Sequence, residues 1–116
     1  MPEQFLTLAE LPPKGVAFLS VNFDSIEMHD WGRFVEASER LMRKRQKHLV
    51  LDLRRLRRVL SVFIGAAVQM SAQAKSEGRR FTVLASGQLA NTLHSVLGND
   101  ILEIITDGRS PEELGG

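Results

Sequence analysis

Apolar and polar positions along the chain alternate with a period that switches repeatedly between two and about 3.6 residues, the signatures of strands and of amphipathic helices. Val16 to Phe23 places Ala17, Leu19, Val21 and Phe23 on one face and Val16, Phe18, Ser20 and Asn22 on the other, which predicts an interior strand. Gln4 to Leu8 predicts a shorter strand before it. Between the two, Pro12-Pro13-Lys14-Gly15 forms a turn that no regular ladder survives. From Trp31 the period is helical, with Trp31, Phe34, Val35, Ser38, Leu41 and Met42 on one stripe and Asp30 in position to cap. Arg43, Lys44, Arg45 and Lys47 then suit the negative end of that helix. His48 to Leu53 returns to strand. A second helix carries the small-residue stripe Ile64, Ala67, Val68, Ser71 and Ala74 and ends near Gly78. Arg80 to Ala85 is a strand, Gln88 to Leu97 a helix with Leu89, Leu93, Val96 and Leu97 inward and Gly98 after it, and Ile101 to Ile105 a last strand. Ser110-Pro111-Glu112-Glu113 opens another helix, with Ser110 as cap, Pro111 in the first turn and Glu113 completing a capping box.

The order β-β-α-β-α-β-α-β predicts an α/β fold over residues 1–116: a single domain with a mixed, mostly parallel sheet, an antiparallel N-terminal strand pair, and helices packed against it through right-handed crossovers. Little chain follows Ser110. The last helix start therefore reads either as a boundary inside a longer protein or as a frayed natural terminus.

Composition narrows the function classes. The 15 Lys and Arg are nearly matched by 14 Asp and Glu, so a globally basic nucleic-acid binder is excluded while a local basic patch is not. With no cysteine there is neither a disulfide framework nor a thiolate metal site. The start lacks the basic head and apolar segment of a secretory signal, and no run of about 18 apolar residues occurs, so a cytoplasmic location without membrane insertion is expected. His29, His48 and His94 have no metal-ligand spacing, and no Gly-rich segment ends in Gly-Lys-Ser/Thr. Asp52, alone in its strand, reads as a hydrogen-bonded structural carboxylate. Neither a metal nor a cofactor is expected, and the chain reads as a binding module instead of an enzyme.

Arg54, Arg55, Arg57 and Arg58 have two readings, a solvated loop or a recognition element for an acidic or phosphorylated partner. Nucleic acid fits less well, since no aromatic residues are interleaved for stacking. Ser61, next along, stands between a strand and a helix start. Its hydroxyl either caps the helix or accepts a phosphate that the helix N-terminus stabilises.

The stretch from Leu49 to Gly65, a VLDL strand, a basic loop and then Leu60-Ser61-Val62-Phe63-Ile64-Gly65, resembles the STAS domain of sulfate transporters and anti-sigma-factor antagonists. The likeness extends through the first long helix, the Glu77-Gly78 helix end and the Phe81-Thr82-Val83-Leu84 strand. The family motif at the second helix is close to Asp-Ser-Ser-Gly-Leu-Gly, so Ser61 and Gly65 match it while Leu60, Val62 and Phe63 replace the aspartate, the second serine and the first glycine. The resemblance implies a regulatory module that docks an anti-sigma factor or kinase-like switch protein through this loop, with Ser61 as the phosphorylated residue and Arg55, Arg57, Arg58, Leu60, Ser61, Val62 and Phe63 as the docking surface. Leu60, Val62 and Phe63 are either an apolar docking patch or core. The alternative is an unphosphorylated scaffold or accessory subunit that assembles with itself, with a stressosome-like signalling complex or with a transporter.

Overall fold

A computed structural model describes residues 4–114. One five-stranded sheet in the order β1-β2-β3-β4-β5 forms its frame. β1 (Leu6–Leu11) and β2 (Val16–Val21) pair antiparallel, and β3 (His48–Leu53), β4 (Arg80–Ala85) and β5 (Glu103–Ile105) add in parallel. The crossovers are α1 (Trp31–Met42), α2 (Ser61–Ser76) and α3 (Gly87–Leu97). The alternating periods thus yield the α/β sheet they predict, antiparallel pair included. Among the described residues, no helix is long and apolar enough to cross a membrane.

Because each parallel strand is laid beside its predecessor by a right-handed crossover, all three helices fall on one side of the sheet. Ala17, Leu19 and Val21, Leu49, Leu51 and Leu53, and Phe81, Val83 and Ala85 face them. Phe34 and Leu41 of α1, Phe63, Ala67 and Ala74 of α2, and Leu89 and Leu93 of α3 close this core from above. Each fully buried Leu or Phe in it contributes about 1.5–3 kcal/mol by leaving water.

Among the described residues no α-helix covers the other face, yet β2 and β3 are buried at every position. The chain itself solves this. After β5 it returns beneath the sheet as a strap, Thr106–Leu114, with Pro111 buried and Leu114 packed on the cluster of Val16, Phe18, Val50 and Leu84. Lys14 Nζ donates to the Glu112 carbonyl and Arg54 to the Gly108 carbonyl, pinning the strap at both sides.

Polar groups under or beside the strap pair along the strand register. Ser20 lies opposite Asp52 and donates to its carboxylate at 3.1 Å. In the next row, Thr82 Oγ1 donates to Glu103 at 3.1 Å and lies 2.7 Å from His48 Nε2, which therefore carries the proton in this bond. Glu103 is ion-paired with Arg80. Burial first, and then the Arg80 charge, hold the His48 pKa below its ordinary 6.5 against the smaller upward pull of Glu103. Below pH 6.5 the unfolded chain binds more protons than the fold, so stability is full above that value and falls as pH drops toward the folded pKa. Denaturant titrations from about pH 7.5 to 5 should show this fall, and His48→Gln should flatten it. An unchanged slope in the variant would assign the pH dependence elsewhere.

Several boundaries differ from the sequence expectation. β1 spans Leu6–Leu11 and not Gln4 to Leu8, because the hairpin zips until Leu11 meets Val16 and is closed by a 3₁₀ turn at Pro12–Lys14 with Gly15 at φ +69°. β2 ends at Val21. Asn22 turns to donate to the Gln4 carbonyl and to Thr7, and Phe23, 41% exposed, leaves the strand face to pack at a tilt against Phe5. Asp30 does not cap α1, since a 3₁₀ turn, Met28–Asp30, leads straight into the helix; its carboxylate accepts instead from the Glu27 N–H at 2.9 Å and from Arg33 at 3.0 Å. Val96 faces solvent, because α3 packs at the sheet edge where β5 supplies only Glu103–Ile105. Ile101 lies outside β5. The Ser110 to Glu113 box forms as written, yet it winds only the 3₁₀ turn Pro111–Glu113 before Leu114 is drawn onto the sheet. Residues 115 and 116, where that helix was expected to continue, lie outside the described residues.

Candidate docking face

The parallel strands β2, β3 and β4 all finish at one end of the sheet, where open α/β sheets place their ligand sites. Two loops meet there. The Arg57 N–H donates to the Asp24 carbonyl at 2.9 Å, and Ser25 and Arg58 form a parallel bridge, so the β2–α1 and β3–α2 loops are tied backbone to backbone. Leu56, 1% exposed, anchors the second loop in the core between them.

That anchoring divides the four arginines. Arg54 folds back on Asp52 with Nε and a terminal nitrogen each 2.9 Å from a carboxylate oxygen, a pairing that raises its pKa. It is part of the frame. Asp52, accepting from Ser20 and Arg54 together, is accordingly a satisfied structural carboxylate. Arg55, Arg57 and Arg58 are exposed along the loop.

At the start of α2, Leu60 occupies the N-cap position with extended backbone (φ −78°, ψ 151°) and offers no side-chain acceptor. Ser61 is one step further in, at the first helical position. Its hydroxyl therefore does not cap the helix, which corrects one of the two readings of this residue: a cap must precede the first turn to reach its N–H groups. The side chain is exposed instead, at the electropositive end of a helix of 16 residues. Leu60 and Val62 flank it, 40% and 37% exposed. Phe63 does not belong to this surface. Only 3% exposed, it lies edge-on to Trp31 and Phe34 at 5.2 and 5.1 Å, because the helical turn that points Ser61 outward points Phe63 down into the α1–α2 seam.

Beside Leu60 the tied loops and α3 enclose a groove of ≈ 370 Å³. Its walls include Arg57, Arg58 and Glu27, and Gln88 and Thr92 from α3. Pattern reading of the sequence missed the α3 contribution. Gln88 and Thr92, four apart on the polar face of that helix, were the available signal, although only the fold shows that this face borders the arginine loop. Ser86 caps α3 by accepting from the Leu89 N–H at 3.2 Å, which fixes that wall. Among the described residues there is no group of three or more His, Cys, Asp or Glu able to hold a metal ion. No family model matches the chain, and no curated protein matches it either.

Proposed function

We propose that this chain is a regulatory protein–protein interaction module resembling an anti-sigma-factor antagonist, a non-enzymatic switch of the bacterial cytoplasm. It docks an anti-sigma factor or kinase-like switch protein through the β3–α2 loop and the first turn of α2, with Ser61 as the phosphoacceptor. The observation that carries this reading is the exposed Ser61 hydroxyl at the first position of α2, set between two exposed apolar side chains. A phosphate there adds about −1.5 to −2 charge in the middle of an apolar contact patch while the helix N-terminus tolerates it. Docking is thereby opposed without unfolding the module.

Two measurements test it. Phosphopeptide mapping after incubation with the cognate kinase and ATP should find the modification on Ser61. Capture of the docking partner should weaken about tenfold for Ser61→Asp and persist for Ser61→Ala, given the cost of burying a charge in an apolar contact. An unmodified Ser61 with indistinguishable capture would leave the scaffold reading in possession. Leu60 supports that second reading: where the family motif has a carboxylate beside the acceptor, this chain exposes a leucine. Sedimentation that showed only monomer over a wide concentration range would count against the self-assembling form of the scaffold.

A further inference from the structure

We infer that the groove between the two tied loops and α3 binds an acidic peptide segment of the docking partner, with an apolar side chain seated on the groove floor and carboxylates held by Arg57 and Arg58. This inference rests on the docking reading above and specifies the chemistry of the partner. Charge complementarity carries it. Arg33, Arg54, Arg79, Arg80 and Arg109 are each committed to a carboxylate of the chain itself. Arg57 and Arg58 make no side-chain hydrogen bond or ion pair among the described residues, and both line the same concavity. Their backbones are fixed by the Asp24 carbonyl and the Ser25 bridge, so the roots of both guanidinium groups are held in place before a partner arrives.

The apolar surface of the groove is that of Leu60, 40% exposed, and the half-buried Val59, backed by the buried Ile26 and Leu89. An apolar anchor of the partner finds its match there, and flanking carboxylates meet the arginines in bidentate contacts. Gln88 on the wall can take an N–H group of a peptide backbone, while the Glu27 carboxylate already accepts from the Asp30 N–H. Among the described residues no aromatic side chain lines the groove for a nucleic-acid base to stack on.

The test uses the full chain and three fluorescent ten-residue peptides, each with a central leucine flanked by glutamate, by glutamine or by lysine. Anisotropy should show the glutamate peptide binding about tenfold more tightly than the glutamine peptide, with an affinity that falls as salt is raised. The Arg57→Ala/Arg58→Ala protein, whose melting temperature confirms its fold, should lose that preference. Exchanging both for glutamate should transfer the preference to the lysine peptide. Equal binding of the three peptides, an unaffected double-alanine protein, or equally tight capture of a poly-uridine oligonucleotide would overturn the inference. The Ser61→Asp comparison reads the docking face separately: if it holds while the peptides fail, the groove alone is withdrawn, and if both fail the docking reading goes as well.

Discussion

Phe63→Ala is expected to cost about 3–5 kcal/mol of folding stability, whereas Val62→Ala, one position earlier, should stay within about 0.5 kcal/mol. The ring of Phe63 is 3% exposed and meets Trp31 and Phe34 of α1 edge-on, so its removal leaves a cavity in the seam between α1 and α2 and forfeits two aromatic contacts. Val62, 37% exposed, has water to return to. A domain of this size is stable by about 5–15 kcal/mol in total, so the single alanine removes a large part of the margin. Urea titrations of the two variants provide the comparison, with equal m values showing that the denatured state is unchanged. A Phe63→Ala loss under about 1 kcal/mol would mean that the ring is not holding α2 to α1.

Phe63 also shows where the sequence stopped being legible. Its place in the motif put it on the docking surface beside Leu60 and Val62, and apolar character cannot distinguish an exposed patch from a core when three such residues fall within four positions. The helical phase decides, and the phase depends on where α2 begins. With Leu60 at the N-cap instead of Ser61, Ser61 and Val62 turn outward and Phe63 inward. The long periodic segments were easier, because Ala17, Leu19 and Val21 or Phe34, Ser38 and Leu41 repeat often enough to fix both element and face. The strap was not legible at all. Ser110-Pro111-Glu112-Glu113 has the local chemistry of a helix start, and nothing local reveals that Pro111 and Leu114 are wanted by a sheet face about 60 to 100 residues earlier in the chain, at Val50 and Val16. The groove shares this property, since its walls come from two loops and a helix that only the topology brings together.

Asp52→Ala is expected to destabilise the fold by about 2–4 kcal/mol, chiefly through the partners it abandons. Asp52 sits on the helix-free face, 6% exposed, and accepts from Ser20 Oγ at 3.1 Å, from the Arg54 guanidinium at 2.9 Å twice, and from the Arg54 N–H at 3.2 Å. Without it a buried serine hydroxyl and a partly buried cation lose their acceptor together. Arg54 keeps 34% of its side-chain exposure and can recover some hydration, which places the loss below that of a fully sealed ion pair. Because the same guanidinium donates to the Gly108 carbonyl at 3.3 Å, the damage extends to the strap. Amide exchange from Thr106 to Leu114 should therefore accelerate more than the global loss accounts for. Replacing both members, Asp52→Leu with Arg54→Met, should recover much of the stability, since well-packed apolar residues commonly substitute for such a pair. A structural carboxylate predicts this recovery. An Asp52→Ala protein within about 1 kcal/mol of the parent, or a double variant no better than the single one, would show that the pair does not hold the helix-free face together.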